Sequence, residues 1–427
     1  MPRVFYGWWV AAACFCTFGI IVGIPYYSLP FFFDYFEDAR LGFGWSRPAI
    51  MLGSPLGVLV TVWAGPLLVQ RFRPRKLLLF GTVATAAALA GFAAMRGQIW
   101  LYYLLWCLYM VGYISAGPIP HQVLIARWFR KLRGRAMGAT YVGVGLCGAV
   151  SAKYVARPLT EAFGFRTALT VIGLLLFLTW PLILWVMRDS PPDLGLSPDG
   201  GSVGAKEELD ASFQFGSLLR QRAFWLLAIA SFCSIASIGA VNQHMKLILK
   251  DQGFAPQAAL NRAFSDTLFA IMITSIAGRV VIGWLADHLS KKRLMTAVYV
   301  IVAGSIPLLL AARPPGTPYL FAVLFGLSMG GDYLLIPLMA AEQFGVDALG
   351  RVMAVIMPLD LIGLTWLPYL VSILQQRFGD YRIAAGMLFP IALAGAILVA
   401  LLPATKLRGE TNGIKDGRPV TQDLVKL

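Results

Sequence analysis

Apolar runs of roughly twenty residues recur along nearly the whole chain. A bilayer core about 30 Å thick takes about that many helical residues to cross. Read by that length, the sequence predicts spans at 7–33, 47–69, 77–95, 98–126, 136–156 and 166–187, and again at 222–249, 267–286, 294–312, 318–341, 352–376 and 383–402. Inside hydrocarbon each segment must satisfy its own backbone N–H and C=O groups, so every span is expected to be helical. Composition agrees: 58% of the 427 residues are hydrophobic and only 13% are charged, against about 25% charged in a soluble domain. The expected fold class is an all-α polytopic membrane protein with twelve transmembrane helices. The first apolar stretch, from Trp8 to Phe33, is too long for a signal-peptide core and lacks a small-residue cleavage site, so it reads as the first span.

The net charge of +15 does not point to nucleic acid, because the basic residues punctuate the apolar segments as topology signals do. One set of loops holds Arg71, Arg73, Arg75 and Lys76, then Arg127, Arg130, Lys131, Arg133 and Arg135, then Lys291, Lys292 and Arg293; the opposite loops carry isolated charges such as Arg96 and Arg313. The positive-inside rule puts the rich loops, and with an even span count both termini, in the cytoplasm. A Pro-, Gly- and acid-rich stretch at 189–221 reads as an inter-domain linker. It leaves a six-helix bundle at 1–188, a second at 222–402 and a cytoplasmic tail at 403–427. "QRFRPRKL" (Gln70–Leu77) and "DHLSKKRL" (Asp287–Leu294) join the second and third spans of their halves, a weak internal repeat that transporters of duplicated architecture share. The five cysteines all lie in apolar stretches without metal-ligand spacing, and no Gly-x-x-x-x-Gly-Lys motif is present, so neither a cofactor nor a metal nor nucleotide hydrolysis is expected.

"GWLADHLSKKR" (Gly283–Arg293) resembles the loop signature of the major facilitator superfamily, in which Gly283, Asp287 and the basic residues would form a cytoplasmic latch. The first-half copy departs from it, with Gln70 in place of the acid and Arg73 in place of the glycine, leaving Arg71 as its matching base. "FYGWWVAAACF", "YYSLPFFFDYF" and "FGWSRPAIML", with "RWFRKLRGRAMGATYVGVGLCG" (Arg127–Gly148, containing Arg133), are similar to bacterial monocarboxylate and oxalate/formate transporter relatives. The resemblance implies two six-helix bundles, a monomeric transporter in a bacterial inner membrane, and an anion held between the halves. Gly138, Gly143, Gly145 and Gly148 let helices pack closely, either statically or as sliding surfaces.

Ionisable residues in a bilayer cost several kcal/mol, about 2.5–3.5 at a helix centre, and are site candidates by default. The third, sixth, ninth and twelfth spans carry no interior charge or histidine. Arg279 lies about 12 Å from the cytoplasmic end of its span, Asp360 about 13 Å, and Asp332 somewhat deeper. Arg279 either grips a carboxylate through two parallel hydrogen bonds or makes a permanent ion pair with Asp332 or Asp360. The resemblance favours the first, since relatives anchor the anion on an eighth-helix arginine; their acid four residues earlier is Ser275 here. One cation suits one carboxylate, with Asp360 or Asp332 carrying a proton or serving as structural partners. Tyr26, Tyr27, Phe31, Tyr333 and Trp366 form either an aromatic wall for a larger acid or ordinary packing. His121, beside Pro118 and Pro120, is either a cavity-lining group or a satisfied packing histidine. Lys153, Lys246 and Lys250 read as snorkelling near outer ends, and "DYFED" (Asp34–Asp38) as an outer turn. The expected function is proton-coupled symport of a small organic monocarboxylate, with an anion exchanger or a drug exporter of the same fold as alternatives and a polytopic membrane enzyme as a remote one. The partners are then the anion, the proton and the lipid bilayer.

Overall fold

The computed structural model describes residues 5–61, 72–129, 132–198, 218–315, 318–344 and 346–403. Helices account for most of them, and no strand occurs among the described residues. We number the helices α1 (Gly7–Glu37), α2 (Arg47–Thr61), α3 (Pro74–Ala94), α4 (Ile99–Trp128), α5 (Arg133–Val150), α6 (Arg157–Leu175), α7 (Arg222–Asp251), α8 (Gln257–His288), α9 (Lys291–Leu310), α10 (Tyr319–Phe344), α11 (Val346–Phe378) and α12 (Tyr381–Ala400). Ten helices among the described residues are long and apolar enough to cross a membrane. Two facts separate that number from the twelve expected spans. The predicted span at 47–69 is described only as α2, whose remainder lies outside the described residues. The predicted spans at 136–156 and 166–187 fall in one helical run, Arg135–Val186, of 52 residues. A straight helix of that length would extend about 78 Å, more than twice the hydrocarbon thickness. Gly164 interrupts the run between the two predicted spans, at φ 81° and ψ 160°, a backbone conformation that side chains disfavour.

Small residues set the closest helix contacts, as expected where lipid supplies no hydrophobic drive between helices. On α5 a Cβ at Gly143 would stand 2.2 Å from the Phe15 carbonyl oxygen of α1. On α10 a Cβ at Gly330 would stand 2.0 Å from the Ser275 carbonyl oxygen of α8. Ser275 is therefore locked into the α8–α10 contact and is 1% exposed. By contrast Gly138 meets nothing within 4 Å.

Within the first six helices, α1 packs on α5, and α3 on α4 and α6; within the last six, α7 packs on α11 and α12, and α8 and α9 on α10. The main seams between the two sets join α1 with α7, α2 with α11, and α5 with α8. These seams position the charged residues described next. Of the anticipated latch, Gly283 lies in α8, its Cβ position 3.2 Å from Leu334 Cδ2 of α10. Arg71 lies outside the described residues, and so do the side chains of Arg133 and Asp287.

Candidate functional site

Arg279 sits on α8 where that helix meets α5. Its Nη1 donates to the Tyr141 carbonyl oxygen at 3.3 Å, and a Cβ at Gly145 would stand 3.1 Å from the same nitrogen. Glycine at 145 thus gives the guanidinium its place against the α5 backbone. Among the described residues Arg279 forms no ion pair. Tyr27, Tyr141 and Tyr333 lie within electrostatic reach of it. Tyr333 is 44% exposed, and Tyr26 packs edge-to-face on Tyr27 at 5.1 Å. Tyr27 also rests on α5, where a Cβ at Gly148 would come within 2.6 Å of its ring. The arginine and the tyrosines expected at the site are therefore brought together where α1, α5, α8 and α10 approach one another.

The two aspartates go elsewhere. Ser231 of α7 donates to both Asp360 oxygens at 2.7 Å, and Ser234 donates to Asp332 Oδ2 at 2.7 Å. Ser231 and Ser234 are three residues apart on one helix and so share a face. Asp332 is wholly buried, and Tyr299 of α9 lies beside it. The permanent Arg279–aspartate pair, one of the two alternatives for the arginine, is not formed.

His121 resolves in the other direction. It is fully buried, with Nε2 2.9 Å from Thr17 Oγ1 and Nδ1 2.7 Å from the Gly117 carbonyl oxygen. Its ring stands 4.8 Å from that of Phe18. With both ring nitrogens engaged and no exposure, His121 has nothing to offer a substrate. The expectation that it binds one is corrected, because the helix break at Gly117 turns a carbonyl onto the ring. Phe31 likewise leaves the aromatic wall, since it is fully buried.

A second charged assembly was missed by sequence reasoning. Lys246 Nζ of α7 lies 2.8 Å from Asp34 Oδ1 of α1, and the two side chains are 0% and 1% exposed. The same nitrogen donates to the Phe31 carbonyl oxygen at 2.6 Å and stands 3.6 Å from the centre of the Phe31 ring. Gln257 of α8 donates to the other Asp34 oxygen. Beside this pair Arg47 of α2 donates in parallel to both Asp251 oxygens at 2.6 Å and reaches Glu37 at 2.6 Å. Lys250 joins Glu37 at 2.9 Å, and Lys153 joins Asp266 at 3.0 Å. Lys246 therefore does not snorkel, and Asp34 and Glu37 belong to the last turns of α1 rather than to a loop. Among the described residues, every ion pair joining the first six helices to the last six lies at this end, away from the Lys/Arg-rich loops. A cavity of about 10 Å³ lies between Tyr26, Trp106, Gln243 and Leu364, enough for about one water. The sequence signal was present as opposite charges at the ends of two apolar segments, but their pairing needs the register of α1 against α7.

Comparisons with known proteins agree with this architecture. The family model described as Major Facilitator Superfamily matches residues 10–363. A protein named MFS-type transporter 1, from an Ophiocordyceps species, is 27% identical over 92% of this chain and 84% of its own length. The multi-drug resistance efflux pump PmrA of Streptococcus pneumoniae is 24% identical over 67% of this chain and 66% of its own. Among solved structures, a bacterial homologue of the human lysosomal transporter Spinster, in an inward-facing and unoccupied conformation, superimposes with a TM-score of 0.64. It covers 94% of this chain and 95% of the other at 12% identity.

Proposed function

The chain belongs to the Major Facilitator Superfamily of membrane transporters, and from that premise we propose that it carries a small organic monocarboxylate together with a proton. The observation that carries this reading is Arg279, a guanidinium at a seam between helices, bonded to a backbone carbonyl and lacking a carboxylate partner. Desolvated cations call for a counter-charge, and a guanidinium presents the donor fork that fits one carboxylate. Tyr27, Tyr26 and Tyr333 supply flat apolar walls and hydroxyls beside it. Asp332 and Asp360, on α10 and α11 and within electrostatic reach of each other, hold the coupled proton: two nearby acids repel when both are ionised, and one proton on the pair relieves this.

Residues 1–188 and 222–402 act as two rocking bodies of six helices, joined by the linker at 189–221, with the tail at 403–427 and both termini cytoplasmic. The ion pairs around Arg47 and Lys246 hold the outer end shut, while the anion reaches Arg279 from the cytoplasmic side. Rocking opens one end as the other closes. The bilayer is that of a bacterial inner membrane, and one chain suffices for the cycle.

A thermal-shift screen of carboxylic acids on wild type and Arg279→Ala tests the anchor. The expected result is stabilisation of wild type by some monocarboxylates and its loss in the variant. Stabilisation that survives Arg279→Ala removes the anchor, and liposome uptake driven by counter-substrate but not by a pH gradient replaces symport with exchange.

A further inference from the structure

The oxygens around Asp332 and Asp360 are more than a proton needs. They come from Asp332 of α10, Asp360 of α11, Ser231 and Ser234 of α7 and Tyr299 of α9. Asp332 Oδ1 is buried without a hydrogen-bond partner, and so is the Tyr299 hydroxyl. Tyr299 is fully buried, and its hydroxyl is directed at Asp332 and Ser234, with Asp360 in electrostatic reach. Orphaned buried polar groups are rare in folded proteins and ask for a missing partner. Among the described residues no lysine, arginine or histidine pairs with either acid. What is missing is therefore positive, and it is surrounded by oxygen alone.

We infer that this cluster is a binding site for a small alkali cation, Na⁺ or Li⁺, which can take the place of the proton as the coupling ion. The inference rests on the proposed role of Asp332 and Asp360 in coupling. Hard cations take oxygen ligands, and the cluster offers no nitrogen or sulfur donor. Both serine hydroxyls already donate to the carboxylates, which orients those carboxylates and leaves Asp332 Oδ1, the Asp360 oxygens and the Tyr299 hydroxyl to face the ion. That set is smaller than the about six to eight oxygens that Ca²⁺ takes, and it lacks the octahedral arrangement that Mg²⁺ demands. A monovalent ion lowers the charge of the acid pair and can leave again in each cycle. Because the ligands come from α9, α10 and α11, with the orienting serines on α7, binding draws together helices of the second half only, away from the charged seam at Lys246.

The test is thermal unfolding of the purified full chain in NaCl, LiCl, KCl, CaCl₂ and choline chloride at matched ionic strength and one pH, without a carboxylate. Na⁺ and Li⁺ are expected to raise the unfolding midpoint saturably above choline, as a ligand of the native state does. Tyr299→Phe and Ser234→Ala should each shift the half-saturating Na⁺ concentration upward by about tenfold, and Asp332→Asn should abolish the Na⁺ response. Should Asp332→Asn not fold, the Tyr299 and Ser234 variants decide the matter. Equal effects of Na⁺, K⁺ and choline overturn the inference. So does a response confined to Ca²⁺, or a Na⁺ response unchanged in both Tyr299→Phe and Ser234→Ala. The readout is ion binding without transport, so failure of carboxylate uptake would leave this site standing. Conversely, absence of a Na⁺ response would leave proton-driven uptake standing.

Discussion

Replacing Asp34 by asparagine removes one member of a buried ion pair while keeping its shape. In the native protein Lys246 Nζ lies against the Asp34 carboxylate at 2.8 Å, the Phe31 carbonyl oxygen at 2.6 Å and the faces of the Phe31 and Tyr35 rings at 3.6 and 4.7 Å. Breaking a buried pair by removing one partner costs about 3–5 kcal/mol, because the remaining charge stays buried without compensation. The carbonyl and the rings remain, and a desolvated cation–π contact contributes about 2 kcal/mol. The expected net cost of Asp34→Asn is therefore about 1–3 kcal/mol, which is about 5- to 150-fold in an equilibrium constant. It falls on the arrangement in which α1 and α7 meet, since the pair spans that seam. Amide hydrogen exchange over residues 28–37 and 243–251 reads the change, because opening of the seam exposes those segments. Exchange should accelerate by up to that factor in Asp34→Asn. It should return to within severalfold of wild type in Asp34→Asn/Lys246→Met, where no charge is left buried. Wild-type exchange in the single variant, or equally fast exchange in the double variant, would refute the reasoning.

His121→Ala removes two hydrogen bonds and a fully buried ring. It should destabilise the protein by about 2–4 kcal/mol with KM for the transported anion unchanged; a raised KM at native stability would restore the histidine to the binding site. Gly145→Leu should push the guanidinium off the Tyr141 carbonyl. Carboxylate affinity should fall at least tenfold, with an unfolding midpoint much less affected, whereas Gly145→Ala, whose Cβ stands 3.1 Å from the movable Arg279 Nη1, should bind nearly as wild type does.

Much of the architecture was legible before any coordinates, for a physical reason. Hydrocarbon admits only segments that satisfy their own backbone, so apolar length alone located the helices, and the break between the spans at 136–156 and 166–187 coincides with Gly164. The same rule singled out Arg279, Asp332 and Asp360, because a charge in oil stands out in a sequence whatever its neighbours are. Relations between helices were another matter. The depth of Arg279, Asp332 and Asp360 along their own helices was computable, but the direction each side chain takes around its axis depends on packing. Arg279 turns to α5 and the aspartates to α7. Ser275 stands where the relatives carry an acid, with its backbone pressed against Gly330 of α10 and its side chain buried.

The sequence by itself determined the class of molecule, the positions of the helices and the list of intramembrane charges, since these follow from transfer of each residue between water and lipid. Tertiary structure alone decided which charges pair. Lys246 near the end of an apolar run is indistinguishable from a snorkelling lysine until α1 places Asp34 opposite it. His121 is indistinguishable from a ligand until Thr17 and Gly117 take both its nitrogens. Pairing depends on distances of a few ångströms between segments far apart in the chain, and one chain's sequence read alone holds no measure of those.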